Sequence, residues 1–280
     1  MNMQYQYTIK PSGSLFDLKL KEIWSYRDLL MLFVRRDFVA KYKQTVLGPL
    51  WFFIQPLFTM IIYTFIFGNI AGLSTDGMPK TLFYLAGITA WNYFANCLRT
   101  TSNTFTVNAG LFGKVYFPRA ITPLSIVISN LIQFIIGMIL FLGFYFYYLS
   151  IGALVKPNLT LLLFPFLVLI MGFLGLGFGM LVSAMTTKYR DLQYLVQFGV
   201  QLLMYATPVI YPLSEIPAKY KSLILANPMT GVVETFKYSF LSSGTFSWSM
   251  LAYSAGFTIV IFLVGLMIFN KTEKNFMDTV

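Results

Sequence analysis

The chain has 280 residues, of which 57% are hydrophobic and 11% charged, with a formal net charge of +10. Soluble domains carry about 25% charged residues, so this supply cannot cover a water-facing surface; with a mean hydropathy of +0.70, the composition specifies a polytopic membrane protein without room for a large soluble domain. Histidine is absent and Cys97 is the one cysteine, which excludes His-built zinc sites, Ser–His hydrolases, an intrachain disulfide and a redox pair.

Residues 1–47 are mixed and polar and contain no apolar h-region, so a cleaved signal peptide is not expected there. Within them Ile23, Tyr26, Leu30, Phe33, Val34 and Phe38 form a loose apolar face. Arg35, Arg36 and Lys43 lie roughly opposite, while Arg27, Asp37 and Lys41 interrupt the stripe. The pattern predicts a helix lying in the membrane interface. Leu47-Gly48-Pro49 ends it, and Pro49 suits the first turn of the next helix.

Apolar runs follow at Pro49–Ile70, Thr81–Leu98, Ala120–Leu149, Leu159–Met185, Leu192–Ile210 and Met250–Asn270. Each reaches or approaches the ~20 residues that cross ~30 Å of hydrocarbon. The second is short in its apolar part and should continue as helix to about Asn108. The expected fold is therefore all-α: an N-terminal interfacial segment, a six-helix membrane domain over 48–270, and a tail from 271 to 280. The external segment Tyr211–Ser249 is too short for a domain. Its prolines and apolar centre predict short helices dipping back toward the membrane, with a surface loop as the alternative.

Six spans place both termini on one side. Fourteen of the twenty Lys and Arg then fall on that side, five fall opposite, and Arg99 remains in the second span. The positive-inside rule makes the larger side cytoplasmic. The net charge is thus explained by loop orientation and attraction to anionic lipid, with no nucleic acid.

The chemistry available is narrow. On these boundaries none of the ten carboxylates lies in a span, which disfavours an ion-coupled carrier. No phosphate-binding loop is present: Gly113-Lys114 is followed by Val115, and position 108 is Asn. If ATP drives this protein, a separate subunit binds the nucleotide and its magnesium; the chain itself carries no cofactor, metal site or catalytic residue. A secondary carrier or channel, and an enzyme acting on lipid, remain as alternatives.

Polar residues in the spans recur at helical spacing. Trp51, Gln55, Thr59 and Tyr63 step by four in the first span, and Gln193, Gln197, Gln201 and Tyr205 do so in the fifth. A four-residue step keeps side chains on one face. Amides and hydroxyls bond sugar hydroxyls and aromatic faces stack on sugar rings, so the stripes suit a glycan conduit, with Phe52 and Phe198 at its margin. The alternative is interhelical hydrogen bonding, worth ~0.6 kcal/mol each. The second span has a comparable row, Asn92, Asn96, Arg99 and Asn103, and the third has Ser125, Ser129 and Gln133. Gly175 and Gly179 read as close helix packing.

Three stretches resemble the permease subunits of bacterial ABC exporters for polysaccharides and teichoic acids. They are Tyr26-Arg27-Asp28-Leu29-Leu30 with Arg36-Asp37 and Tyr42-Lys43-Gln44-Thr45-Val46-Leu47-Gly48-Pro49-Leu50-Trp51; Lys114-Val115-Tyr116-Phe117-Pro118-Arg119 with Pro123-Leu124; and Tyr189-Arg190-Asp191-Leu192 with Pro208-Val209-Ile210-Tyr211-Pro212 and Asn227-Pro228. They occur in the family's order over roughly residues 20–240. The resemblance implies a homodimer bound to two ATP-binding cassette subunits in the bacterial inner membrane. It implies a glycan or polyol-phosphate polymer on an undecaprenyl-pyrophosphate-type lipid, moved to the outer leaflet. O-antigen is the first choice of cargo, with capsule and teichoic acid polymers as alternatives. The interfacial helix and the Leu47-Gly48 turn would form the gate through which substrate enters, with Arg35, Arg36, Lys41 and Lys43 meeting the pyrophosphate. Lys114, Phe117, Pro118 and Arg119, together with Tyr189, Arg190 and Asp191, would couple to the ATPase.

Overall fold

Proline, glycine and side-chain caps divide the apolar runs into helices. The computed structural model describes residues 20–43, 45–115, 117–242 and 244–276, with side chains described over 22–40, 43–273 apart from Gln44, Tyr116 and Ser243. The expectations for residues 1–19, the Lys41 and Lys274 side chains and the last residues of the tail lie outside these. Among the described residues all regular structure is helical.

The N-terminal helices are α1 (Leu20–Ser25) and α2 (Arg27–Tyr42). Among the described side chains of α2, Phe33 and Val34 are buried. Phe33 meets Phe117 edge-on at 5.6 Å, so the predicted apolar face packs on protein, in one cluster with Phe105, Phe112, Leu176 and Phe269. A left-handed Gly48, φ 50°, turns the chain, a conformation costly for any residue with a Cβ. Pro49 then sits in a tight turn ahead of α3 (Trp51–Tyr63), which runs on as a π-helical stretch to Ile70.

Helix α4 (Lys80–Thr101) is the centre of the molecule, with every residue from Leu82 to Trp91 buried. It packs against α3, α6 (Ile121–Ser150), α7 (Phe164–Thr186) and α10 (Pro228–Leu241). The α4–α7 contact is the predicted glycine contact. A Cβ on Gly175 would sit 2.7 Å from Cys97 Cβ and 2.8 Å from the Phe94 carbonyl, and one on Gly179 would collide with Thr101 Cβ. Apolar helices gain little from water exclusion when lipid surrounds them, so close backbone approach through small residues supplies the attraction.

The second span was expected to remain helical to about Asn108. Instead α4 ends at Thr101 and α5 (Thr104–Phe112) begins after a two-residue break. Ser102 Oγ and Asn103 Nδ2 donate to the Arg99 carbonyl, and Thr104 Oγ1 donates to that of Thr101. Such side-chain bonds compete with the helical ladder and explain the break.

Among the described residues, four helices are long and apolar enough to cross a membrane: Gly48–Ile70, Ile121–Ser150, Leu159–Thr186 and Trp248–Glu273. The two others expected as spans differ for separate reasons. Helix α4 has the length, 22 residues, but its Asn and Arg row lowers its hydropathy. Helix α8 (Leu192–Tyr205) has 14 residues, about 21 Å at 1.5 Å per residue, because the chain turns at Ala206–Pro208 instead of continuing to Ile210.

The segment expected to be external contains α9 (Ala218–Leu225), which is exposed, and α10, which is buried along almost its whole length. Asn227 caps α10 by accepting from the Met229 amide at 3.0 Å. Two charged residues are buried in α10. Lys237 donates to the Pro208 carbonyl at 2.5 Å and lies 3.4 Å from the Phe83 ring centroid; Glu234 accepts from the Thr245 amide at 3.2 Å and hydroxyl at 3.0 Å. These bonds tie α10 to the loops on either side of it. Helix α11 (Trp248–Phe276) closes the body against α7 and α10.

Candidate functional site: a polar groove floored by α4

Asn92, Asn96, Arg99 and Asn103 follow steps of four, three and four, so they share one face along α4 and its end. Their neighbours Tyr93, Phe94, Cys97 and Leu98 are buried on the others. Two clefts meet along this polar face. One lies between α3, α4 and α6, and its lining includes Phe52, Gln55, Asn96, Arg99, Asn130 and Gln133. The other lies between the end of α4 and α8, lined by Arg99, Ser102, Asn103, Gln193, Tyr194, Gln197, Phe198 and Gln201. Arg99 lines both.

The structure therefore brings much of the two predicted stripes to one groove. Gln55 and Phe52 come from the first stripe, and Gln193, Gln197, Phe198 and Gln201 from the second. Gln193 Nε2 donates to Thr106 Oγ1 at 3.2 Å. Where the stripes leave the clefts, the Tyr63 hydroxyl donates to Met204 Sδ at 3.8 Å, linking α3 to α8. Trp51 and Tyr205 are about half exposed. Thr59 lines neither cleft, and its hydroxyl bonds its own helix at the Gln55 carbonyl. Val200 is the buried side chain of α8, so this helix leans on the body along one narrow edge.

A third cleft lies between α2, α5 and α6, lined in part by Arg36, Asp37, Asn103, Ser129 and Asn130. Asn130 is 2% exposed and belongs to this cleft and to the α3–α4–α6 cleft alike. Of the residues predicted to meet the pyrophosphate, Arg36 lies at this cleft, ion-paired with Asp37 at 2.9 Å and stacked 4.5 Å over Phe33. Arg35 and Lys43 are exposed, and Leu47 and Gly48 form the turn before α3.

The predicted coupling residues fall into two environments. Lys114, Tyr189, Arg190 and Asp191 are exposed. Asp191 precedes α8, but its carboxylate makes no capping bond. Phe117, Pro118 and Arg119 are buried. Arg119 donates to the Glu273 carbonyl at 2.8 Å and lies 5.3 Å from the Phe112 ring centroid, pinning the end of α11. Burial pulls the Arg119 pKa down and the Glu273 carboxylate opposes this; the guanidinium stays charged.

Sequence reasoning missed Asn130, because a four-residue step from Ser125 to Ser129 to Gln133 passes over it; its three-residue spacing from Gln133 was the available signal. It also did not single out Glu234 and Lys237, which the structure buries in α10.

The chain matches the ABC-2 type transporter family over residues 28–241. It is 30% identical over 264 residues to the O-antigen export system permease protein RfbA of Klebsiella pneumoniae, covering 93% of this chain and 98% of that one. It is 28% identical over 263 residues to the protein of the same name from Myxococcus xanthus, with the same coverage. The polysialic acid transport protein KpsM of Escherichia coli is more distant, 22% identical over 242 residues, covering 85% of this chain and 91% of that one. A family match across most of the chain, together with apolar helices long enough to cross a bilayer, shows that the protein belongs to the ABC-2 type transporter family of membrane permeases.

Proposed function

We propose that this chain is the permease subunit of an ATP-driven exporter that carries a lipid-linked polysaccharide, O-antigen in type, from the cytoplasmic to the outer leaflet of a bacterial inner membrane. The observation that carries this is the meeting of the Gln55 and Gln193–Gln201 faces over the Asn and Arg row of α4, in a chain similar over 93% of its length to an O-antigen export permease.

On this reading α4 and α8 join the four longer helices as the second and fifth spans, both termini are cytoplasmic, and α9 and α10 re-enter from the outer side. The loose seating of α8 and the exposure of α3 leave one side of the groove open, which supports completion of the conduit by a second copy. Its amide and aromatic lining suits a chain that must slide, since conduction needs contacts weak enough to release. Two ATP-binding cassette subunits bind below, at Lys114 and the 186–191 turn, where motion passes to α7 and α8 together. Arg119 acts by anchoring the adjacent α6 start to α11. Arg35, Arg36, Lys41 and Lys43, beside the Leu47-Gly48 turn, receive the undecaprenyl-pyrophosphate-type lipid.

The test is export in cells deleted for this chain. The wild-type chain, expressed with its cognate ATP-binding cassette subunit, should restore surface polymer, whereas the same chain with an ATP-site-inactive partner should leave lipid-linked polymer inside. Restoration without ATP hydrolysis would overturn the assignment, and restoration of a capsule or teichoic acid polymer alone would reassign the cargo.

A further inference from the structure

We propose that the cleft between α3, α4 and α6 is a glycosyl-phosphate subsite within each subunit, with Arg99 as its cation and Asn130 as its principal hydrogen-bonding amide. The proposal rests on the reading of the chain as a polysaccharide exporter and concerns where the phosphate-bearing end of that substrate is held.

The cleft opens between α3, α4 and α6 along the polar face of α4. Eight of its twelve lining residues carry polar side chains, and Arg99 is the one that carries a formal charge. The neighbouring cation, Arg36, is already neutralised by Asp37. Arg99 makes no ion pair among the described residues, and its buried Nε has no hydrogen-bond partner among the protein atoms. A guanidinium held in this way at membrane depth is costly, and such residues mark pathways and sites. Its planar fork matches phosphate oxygens in a bidentate way.

The amides argue for more than a bare anion. Asn130 is 98% buried, and both its side-chain oxygen and nitrogen lack protein partners; the Thr89 hydroxyl, 4% exposed on the facing helix α4, is in the same condition. An unpaired buried polar group is costly, and four of the eleven such side-chain atoms among the described residues gather at this cleft, where a ligand with both donors and acceptors would meet them. Sugar hydroxyls supply both. One cation flanked by neutral amides is complementary to a phosphate joined to a sugar. Because Arg99 also lines the α4–α8 cleft, a phosphate held there can leave its glycan extending along the Gln193–Gln201 face.

Two sources share this chemistry: the pyrophosphate-linked end of the lipid-borne glycan and the phosphate of an ordinary bilayer lipid. The proposal commits to the first. The full-length chain in nanodiscs is titrated with a short-chain prenyl pyrophosphate bearing N-acetylglucosamine, with a neutral prenyl glucoside and with phosphatidylglycerol. Wild-type protein should bind the pyrophosphate probe at least tenfold more tightly than either control. Arg99→Gln should weaken that binding at least tenfold and Arg99→Lys by less. Asn130→Asp, which sets a like charge beside the phosphate and removes the amide donor, should weaken the pyrophosphate probe by a larger factor than the neutral glucoside. Wild-type melting curves for the variants confirm folding; if Arg99→Gln does not fold, Arg99→Lys and Asn130→Asp carry the comparison. Equal binding of phosphatidylglycerol, unchanged binding in Arg99→Gln and Asn130→Asp, or no binding by the wild type overturns the subsite. Export in cells is scored in parallel: wild-type export with unaltered probe binding in the variants sinks the subsite alone, whereas failure of the wild-type chain to export any glycan sinks the functional reading.

Discussion

The seam between α4 and α7 offers the sharpest quantitative prediction, because it fixes the helix that carries the polar floor. Gly179→Ala adds one methyl group. Built on the observed backbone, that carbon overlaps Thr101 Cβ, lies 2.8 Å from Thr101 Cγ2 and 3.1 Å from the Leu98 carbonyl. Two of these contacts are with a short side chain at its root and one is with backbone, so no flexible end can swing aside. Relief requires α4 to move, yet α4 is clamped on its other faces by α6 and α10. Overpacking of this kind costs about 1–3 kcal/mol, and at about 2–4 °C per kcal/mol for a chain near this size the melting temperature should fall by roughly 2–12 °C. Gly143→Ala in α6 meets nothing within 4 Å and serves as the control; a glycine-to-alanine change in an open helix position gains about 0.5–1 kcal/mol. The assay is thermal unfolding of the detergent-solubilised protein, followed by the fraction remaining monodisperse. Thr101→Gly combined with Gly179→Ala should recover most of the loss, because the collision is with Thr101 Cβ itself. If Gly179→Ala melts with the wild type, or the double variant shows no recovery, the packing argument is wrong.

Three further outcomes follow from the arrangement. In a Cys97-free background, cysteines at Asp76, Asn158 or Ser242 should react with a membrane-impermeant thiol reagent in intact cells with a permeabilised outer membrane, while one at Gly110 should not; the reverse labelling would invert the orientation. Arg190→Ala or Asp191→Ala should lower export severalfold with protein levels unchanged, since Asp191 makes no cap whose loss would destabilise α8, and normal export by variants that still bind the ATPase would remove the coupling role. Charge reversal at Arg36 should weaken substrate stimulation of ATP hydrolysis in the assembled transporter, and an unchanged response would leave Arg36 as ordinary positive-inside anchoring.

The apolar runs were legible because a span must be both long and apolar, and the Gly175–Gly179 seam because close approach admits few other residues. Helix α4 was harder to rank. Its apolar residues look like any span, and only the fold shows that it is wrapped on most sides and turns Asn92, Asn96 and Arg99 into the clefts. The end of α8 was overrun because Val209 and Ile210 extend the apolar run past Pro208, although both are buried in a turn, with Val209 against Gly87 of α4. The burial of Glu234 and Lys237 was not legible because it depends on what surrounds the helix, here the Phe83 ring and the Pro208 carbonyl, distant in sequence, together with Thr245 in the loop that follows. For the candidate site, a four-residue step correctly grouped the α8 glutamines but stepped past Asn130, whose importance comes from lying where two clefts meet.

The central claim is that the groove over α4 is the path of a sliding glycan, and the most direct measurement is the length distribution of exported polymer in cells carrying Gln197→Leu. Gln197 lines the α4–α8 cleft and is exposed, so leucine costs the fold little while removing both its donor and its acceptor from the lining. The account predicts that long chains are depleted from the cell surface while short chains persist, with membrane insertion, dimerisation and basal ATP hydrolysis intact, and that Tyr205→Ala acts in the same direction. A wild-type length distribution from a correctly inserted Gln197→Leu protein would contradict it.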